Sequence, residues 1–268
     1  MEYFFRLKNT FVFMYLIYCF NVSATVNGTH STITKRIVGG TAAKNGEFPY
    51  IMSIFHLKRY RGAFSMITTQ TAIGAAHMLY GNAVEDLEGR ICDVNKFNGK
   101  LVYFDRKVLH PDFQRTNIND IGLLILNHSI CDLCDINPIA LPARRRSFVR
   151  GYAKMVGWGW IGPNRRDKTI NLIVADVRLI DPRPYKYFFN ITLTGKEILT
   201  KTPGIRAMPG DSGSPLIYTD DCGNQLLIGV MSGGVHDDEE APDIFASTSA
   251  YYHFIKENSV GEPIFLDE

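Results

Sequence analysis

Apolar residues recur in short runs between positions 50 and 250, with Gly, Asn, Asp and Pro between the runs. The runs are YIMSIFHL, AFSMITTQTAIGAA, KLVYFDRKVL, DIGLLIL, AKMVGWGW, LIVADVRLI, SPLIYT, QLLIGVMS and DIFASTSA. Short runs rich in Val, Ile, Phe and Tyr, with turn residues between them, are typical of strands in a β-sandwich or β-barrel. Helical periodicity is confined to SAYYHFIKEN at 249–258, where Tyr251, Phe254 and Ile255 share one face. The pattern predicts an all-β protein with a C-terminal α-helix.

The N-terminus has the pattern of a secretory signal peptide. Arg6 and Lys8 precede an apolar run at 11–20, and Val22 and Ala24 follow at the spacing that signal peptidase recognises. Such a run is too short to span a bilayer, which needs about 20 residues. We therefore expect residues 1–24 to be removed and the protein to be secreted and extracellular.

Glycosylation signals support the same expectation. Asn-x-Ser/Thr triplets begin at Asn27, Asn127 and Asn190, and such triplets accept glycans in a secretory pathway. We expect the mature protein to be a glycoprotein.

Charge and composition give little reason to expect a nucleic-acid or membrane partner. Of the 268 residues, 46% are hydrophobic and 21% charged, and the formal net charge is +2. These values are ordinary for a globular protein. The basic segment ARRRSFVR at 143–150 could form a heparin- or nucleic-acid-binding patch. We interpret it as a solvated connection between two halves of similar size.

The cysteines predict disulfides rather than a metal site. Loss of the signal peptide leaves Cys92, Cys131, Cys134 and Cys222, which could form two disulfides in any of three pairings. The CDLC segment with nearby His128 offers three candidate metal ligands but no fourth, which makes a poor zinc site. We expect disulfides and neither a metal nor a cofactor, and the pairing stays open.

Three segments together suggest nucleophilic catalysis. His77 follows a small-residue turn in AIGAAHMLY, Asp120 opens an apolar strand in NINDIGLLIL, and Ser212 lies between glycines in GDSGSP. A serine hydroxyl becomes a nucleophile when an imidazole takes its proton, and a buried carboxylate orients that imidazole. Backbone N–H groups at Gly210 and Ser212 could bind the oxyanion of a tetrahedral intermediate.

With its AAH, NDIGLL and GDSGSP motifs in this order, the chain resembles the chymotrypsin/trypsin-like serine proteases. RIVGG at 36–40 resembles their zymogen activation junction, GWG at 157–159 a signature of their second barrel, and GVMSGG at 229–234 their substrate-pairing strand. The resemblance implies two packed six-stranded antiparallel β-barrels, at about 37–145 and 146–248, with the catalytic groups between them. It also implies that Ser232 supports the Asp120 carboxylate and that Gly233 and Gly234 bind substrate.

The same resemblance implies an activation mechanism. Residues 25–36 would be a propeptide that an activating protease cleaves after Arg36. The new amino group of Ile37 would then pair with Asp211, the carboxylate just before the nucleophile. Without that ammonium group Asp211 would be buried and unpaired, which is costly, so the oxyanion loop would rearrange until cleavage.

The chain departs from the family pattern at two disulfide positions. Met78 and Gly62 replace one usual cysteine pair, and Met208 replaces a cysteine near the nucleophile. Since a disulfide is typically worth about 2–4 kcal/mol, we expect the wall of the specificity pocket to be looser than in relatives. Ser214 replaces a glycine, and we expect little effect on catalysis.

The substrate pocket also departs from the family pattern. Arg206 stands at the base of the S1 pocket, where an aspartate would select Lys or Arg, and Asp243 stands across the pocket in place of a glycine. One interpretation is a salt bridge between the two that narrows the pocket and favours small or neutral P1 residues. The alternative is a free Arg206 that selects acidic P1 residues. We favour the salt bridge, because a buried unpaired guanidinium is costly.

The sequence thus predicts a secreted serine endopeptidase made as a zymogen. Its partners would be a protein or peptide substrate, the activating protease and serpin-type inhibitors. The alternative is a catalytically weak or inactive homologue that serves as a binding or regulatory module, suggested by the altered S1 pocket and by Pro209 in the oxyanion loop. The acidic run HDDEE at 236–240 is either a solvated loop or a region that attracts basic residues or a cation.

Overall fold

The computed structural model describes residues 39–115, 118–134, 136–161, 168–185, 193–234, 238 and 240–267. The predicted signal peptide, the propeptide, and the junction residues Arg36 and Ile37 lie outside the described residues, as do Asn27 and Asn190. The regular secondary structure of the described part consists mainly of strands. They are β1 (Thr41–Ala42), β2 (Ile51–His56), β3 (Arg59–Met66), β4 (Thr71–Gly74), β5 (Leu87–Ile91), β6 (Lys100–Val102), β7 (Phe104–Leu109), β8 (Gly122–Leu126), β9 (Leu141–Pro142), β10 (Tyr152–Gly157), β11 (Ile173–Ile180), β12 (Glu197–Thr200), β13 (Pro215–Thr219), β14 (Gln225–Gly233), β15 (Asp243–Ser247) and β16 (Phe265–Leu266), with one helix, α1 (Tyr252–Asn258).

The first sheet has the strand order β6-β5-β2-β3-β4-β8-β7, and all of its neighbours are antiparallel. Its two end strands are separated in the chain by Tyr103 alone, so the sheet curls until its edges meet. Met52, Phe64 and Ile73 are fully buried inside it. This core continues to α1, whose Ile255 is also fully buried.

The second sheet closes on itself. Its order is β1-β11-β10-β13-β14-β15-β12, and β12 also pairs with β11, which completes a six-stranded barrel. Met155, Leu216 and Phe245 are fully buried in its core. The added strand β1 comes from the N-terminal part of the described chain, so the chain crosses from the second sheet to the first immediately afterwards.

The predicted fold class is confirmed: the protein is all-β, with two antiparallel barrel-like sheets and a C-terminal helix. Each predicted apolar run contains a strand. Five strands were not predicted: β1, β9 and β16 have only two residues each, β5 is interrupted by Glu88 and Arg90, and β12 has only four residues. Helix α1 begins at Tyr252, three residues later than predicted, because Tyr251 N–H still donates to turn carbonyls at Ser247 and Thr248. No helix among the described residues is long and apolar enough to cross a membrane.

The cysteines form one disulfide in the structure. Cys92 pairs with Cys134, which joins the end of β5 to the loop after β8. Cys131 and Cys222 are exposed free thiols. The expectation of a disulfide is confirmed for Cys92 and Cys134, and the other two cysteines do not pair. Because Cys134 is disulfide-bonded to Cys92, its sulfur is not available as a metal ligand, and the two cysteines of the CDLC segment do not act as a ligand pair.

Candidate active site

His77 is presented by a short 3₁₀ turn directly after β4. The turn spans Ala76–Met78, and Ala75 and Ala76 are fully buried. Small residues here let the backbone turn sharply against the core. The His77 side chain stays about one-third exposed, at 34%, so it reaches both the protein interior and the surface cleft.

Asn119, the residue before Asp120, fixes the backbone so that the Asp120 side chain points into the protein. Asn119 has a left-handed backbone with φ of 52°, a conformation that asparagine tolerates better than most residues. Its side chain is anchored on both sides: its amide donates to Asp112 O at 2.9 Å, and Lys196 Nζ donates to its Oδ1 at 2.9 Å. Asp120 is completely buried as a result.

The Asp120 carboxylate accepts three hydrogen bonds. The His77 backbone N–H donates to Oδ1 at 2.8 Å, His77 Nδ1 lies 2.7 Å from Oδ2, and Ser232 Oγ donates to Oδ2 at 2.7 Å. An ionised carboxylate only accepts, so Nδ1 carries the proton in this contact. The neutral imidazole then has Nε2 free as an acceptor, which is the atom that a general base uses.

Ser212 lies in a tight loop that two glycines make possible. Gly210 and Gly213 have φ of 100° and 73°, in the region that favours glycine. The loop is fastened on both sides, since Ser212 O accepts from Ala63 N–H at 3.0 Å and Gly213 N–H donates to Met231 O at 2.8 Å. Ser212 is thus held between the two sheets.

The two predicted oxyanion donors are free. Among the described residues, neither Gly210 N–H nor Ser212 N–H has a protein acceptor. The Gly210 carbonyl is turned away and accepts a hydrogen bond from Tyr60 Oη at 2.9 Å. The N–H of the same peptide group, that of Asp211, donates to Met208 O at 2.9 Å, so this peptide is held on both sides.

Ser212 and His77 line one cleft of about 590 Å³. The Ser212 hydroxyl makes no hydrogen bond to the His77 ring. Catalytic hydrogen bonds are often long before substrate binds and shorten in the complex. The cleft therefore brings nucleophile and base to the same surface, one from each sheet.

Asp211 is buried beside the nucleophile. Its Oδ1 accepts from Gly159 N–H at 2.8 Å, and its Oδ2 accepts from Met208 N–H at 3.0 Å. Burial raises the pKa of Asp211 to about 6, although the two N–H groups and the nearby Lys96 oppose the change. The carboxylate has hydrogen bonds but no salt bridge among the described residues.

The GWG segment makes room for Asp211. A Cβ at Gly157 would lie 2.3 Å from Asp211 Oδ1, and a Cβ at Gly159 would lie 2.2 Å from Oδ2. Real side chains do not approach that closely. These glycines are thus required by the space that the Asp211 carboxylate occupies.

Arg206 and Asp243 do not form the salt bridge that we favoured from the sequence. Asp243 Oδ2 accepts instead from the Ala207 backbone N–H at 3.0 Å, and Arg206 Nη1 is buried without a hydrogen-bond partner among the described residues. Burial raises the pKa of Asp243 to about 7, with Arg206 opposing the change. A cavity of about 40 Å³ adjoins both side chains. Gly234 packs against Asp243, where a Cβ would lie 3.0 Å from Oδ1.

Other predicted positions have the following surroundings. Met78 lies against Gly62, where a Cβ would be 2.8 Å from Met78 Cε, so the thioether occupies the space between these two positions. Ser214 is fully buried, and its Oγ has no hydrogen-bond partner among the described residues. In the acidic run only residues 238 and 240 are described, and Glu240 pairs with Lys201.

Two residues of the site were missed from the sequence. Tyr60 supports the oxyanion loop through Gly210, and the Lys96 ammonium lies 4.2 Å from the centre of the Tyr60 ring. Neither lies in a recognisable motif. Their role depends on contact between segments that are far apart in the chain, so no local signal could have identified them.

Comparison with known proteins agrees with this geometry. The family model described as Trypsin matches residues 37–255. Trypsin-1 of Astacus astacus is 29% identical over 246 residues, which covers 84% of this chain and 100% of that protein. Chymotrypsin-2 of Vespa crabro is 27% identical over 227 residues, with coverage of 84% and 100%.

Proposed function

The chain belongs to the trypsin family of serine proteases, and we propose that it is a secreted serine endopeptidase made as a zymogen, with residues 37–268 as the mature enzyme. One observation supports this most strongly. Ser232, Asp120 and His77 form a continuous hydrogen-bonded chain that ends in the cleft where Ser212 lies. A buried carboxylate thereby holds a one-third exposed imidazole in the cleft that Ser212 also lines.

In the proposed reaction, Ser212 Oγ attacks the scissile carbonyl carbon while His77 Nε2 takes the hydroxyl proton. The carbonyl π-electrons move to the oxygen, which becomes an oxyanion. The C–N bond then breaks, and His77 returns the proton to the leaving amine. Water, deprotonated by the same imidazole, hydrolyses the acyl-enzyme and restores Ser212.

The oxyanion would be held by the two free backbone donors at Gly210 and Ser212. Preorganised donors at the position of developing charge are worth about 10²–10³ in rate each. The Tyr60 hydrogen bond to the Gly210 carbonyl supports this role, because it fastens the Gly210–Asp211 peptide group, which lies between the two donors in the chain.

Activation would act through Asp211. In the uncleaved chain this carboxylate is buried with two backbone donors and a raised pKa. Cleavage after Arg36 by an activating protease would supply the Ile37 ammonium group as its partner. Pairing with that cation would stabilise the ionised carboxylate and thereby the adjoining oxyanion loop.

The specificity is proposed to be non-tryptic, with acidic P1 residues preferred. Arg206 makes cleavage after Lys or Arg unfavourable by charge repulsion. Because the Asp243 carboxylate accepts from the Ala207 backbone N–H, Arg206 Nη1 at the base of the pocket has no hydrogen-bond acceptor among the described residues. A substrate carboxylate would supply the acceptor, whereas a small neutral P1 residue would leave it unpaired.

Labelling with a fluorophosphonate probe tests the proposal. The chain is cleaved after Arg36 and compared with the Ser212→Ala variant and with uncleaved protein. We expect labelling of the cleaved wild type only. Absence of labelling in all three would favour the alternative of an inactive homologue with a binding role. Serpin-type inhibitors, if they are partners, would form a stable complex only with the labelled form.

P1 preference is tested separately on the labelled form. Peptides with Glu, Gln, Ala or Lys at P1 and otherwise identical sequences are compared by kcat/KM. We expect Glu to be the best substrate, with Arg206→Ser reducing its advantage over Gln. Preferred cleavage after Lys would overturn the assignment of Arg206.

A further inference from the structure

The cleft that contains Ser212 and His77 is strongly basic. Five cations line it: Lys58, Arg59, Arg61, Lys96 and Lys168. No carboxylate is among its lining residues in the described part of the chain. The overall formal charge of the protein is only +2, so this is a local concentration of charge and not a reflection of composition.

These five cations have no ion-pair partners among the described residues. Lys58, Arg59 and Arg61 are exposed and come from the β2–β3 turn and the start of β3. Like charges that share a cleft repel one another, which costs stability unless an anion binds between them. The arrangement therefore suggests a ligand.

Lys96 is the least solvated member of the cluster. Its residue is only 5% exposed, and its Nζ lies 4.2 Å from the Tyr60 ring centre and 5.6 Å from that of Phe97. Its backbone is fixed because Lys96 N–H donates to Ile170 O and Ser53 Oγ donates to Lys96 O. Burial and the neighbouring Lys168 lower its pKa to about 8, which an approaching anion would reverse. A buried, preoriented ammonium group is a stronger anion site than an exposed one.

The position of the cleft relative to Ser212 shows which part of a substrate it would receive. Arg206 and the end of β14 at 232–234 are on the side proposed to hold the acyl part, and none of these residues lines the basic cleft. A peptide whose carbonyl lies at Ser212 extends in two directions. The residues after the scissile bond must then pass along the side with the cations.

From this we infer that the protease selects substrates with acidic residues directly after the scissile bond, at P1′ and P2′, which the basic cleft binds. The inference rests on the proposed endopeptidase function, since it uses Ser212 to define the position of the scissile bond. Peptide carboxylates are the occupant that the observations favour, because the cations share one cleft with Ser212 and His77. A separate polyanion, such as a sulfated polysaccharide, would gain nothing from the presence of these two residues.

A binding experiment tests the inference without requiring catalysis. The Ser212→Ala variant, cleaved after Arg36, is titrated with fluorescein-labelled peptides that share one sequence up to P1 and carry Glu-Glu, Gln-Gln or Lys-Lys at P1′–P2′. Fluorescence anisotropy at pH 7 and low salt should show at least about tenfold tighter binding of the Glu-Glu peptide than of Gln-Gln, as expected for charge-assisted hydrogen bonds. The difference should shrink at high salt.

Variants then locate the effect. In the Ser212→Ala background, Arg59→Gln combined with Arg61→Gln should reduce the Glu-Glu to Gln-Gln ratio several-fold. Arg150→Gln, which removes an exposed cation elsewhere, should leave the ratio unchanged. Equal binding of Glu-Glu and Gln-Gln peptides, or equal loss with Arg150→Gln, would overturn the inference. So would tight binding of a sulfated polysaccharide that does not compete with the peptides, because the cleft would then have another occupant.

The wild-type protein, cleaved after Arg36, provides the second measurement. If the fluorophosphonate probe labels Ser212, kcat/KM for quenched-fluorescent versions of the three peptides should follow the same order as their affinities. If it does not label Ser212 but the Glu-Glu peptide still binds selectively, the endopeptidase proposal fails and the basic cleft stands as an anionic-peptide site. If labelling succeeds without peptide selectivity, only the inference about the cleft fails.

Discussion

The uncleaved chain should lose stability as the pH rises from 5 to 8, and cleavage after Arg36 should reduce that loss. The cause is Asp211, whose pKa is about 6 in the folded chain against 3.8 when solvated. A carboxyl with a raised folded pKa holds its proton more tightly when folded. Its stabilising contribution is complete below pH 3.8 and is lost as the pH rises through about 6.

The expected size follows from these two pKa values. Their difference corresponds to about 3 kcal/mol over the whole range, of which about half falls between pH 5 and pH 8. Asp243, with a pKa raised to about 7, adds a loss in the same direction. His110 acts in the opposite direction, because burial lowers its pKa. Both occur in the cleaved and the uncleaved chain. Because the Asp211 charge contributes to the raised pKa of Asp243, the difference between the two forms reports on Asp211 together with this neighbour.

Urea unfolding at pH 5 and pH 8 and constant ionic strength measures the effect. We expect the uncleaved chain to be destabilised between these pH values by about 1–2 kcal/mol more than the cleaved chain, in which the Ile37 ammonium would pair with Asp211. Asp211→Asn should abolish the difference between the forms, whereas Asp267→Asn, at an exposed position, should preserve it. An identical pH dependence of cleaved and uncleaved wild type would refute the activation mechanism proposed here.

Three further outcomes can be measured directly. Tyr60→Phe removes one hydrogen bond to the oxyanion loop and should lower kcat about fivefold with little change in KM; an unchanged kcat would show that the loop does not need this support. The thiols of Cys131 and Cys222 should react with a thiol reagent in the native protein, and a failure of both to react would mean that they are paired. Gly159→Ala should destabilise the fold by about 2–3 kcal/mol in thermal unfolding, since its Cβ would lie 2.2 Å from Asp211 Oδ2; wild-type stability would indicate that the carboxylate can move away.

Most strands could be predicted because their signal is local. A run such as DIGLLIL has enough consecutive apolar residues to require burial on both faces, and all five residues of β8 are buried. The short strand β12 could not be predicted, since its four residues gain their partners from β15 and β11.

The candidate catalytic residues could be selected from the sequence for a related reason. Ser212 needs glycines next to it to adopt its loop, and His77 needs small residues before its turn, so each carries its structural requirement in its immediate neighbours. Asp120 likewise follows an asparagine that tolerates the left-handed backbone. In each case the backbone conformation that the residue needs is what requires its neighbouring residues, so the short motif can be recognised in the sequence.

Specificity, by contrast, was decided by tertiary contacts. Opposite charges at Arg206 and Asp243 suggested a salt bridge, but in the folded chain the Ala207 backbone N–H donates to the Asp243 carboxylate instead. The pairing of Cys92 with Cys134 could not be predicted either, because the sequence is compatible with three pairings of the four cysteines. Local sequence cannot rank partners that come from different parts of the chain.

The sequence by itself therefore determined the fold class and the residues suited to break a peptide bond, because both depend on short segments with their own conformational demands. The tertiary structure alone decided which charges line the cleft that contains Ser212 and His77. Lys58 and Lys168 are 110 positions apart, yet they line one cleft with the nucleophile. Their electrostatic field exists only when the two sheets pack together, since charges act through distance in space and not through separation along the chain.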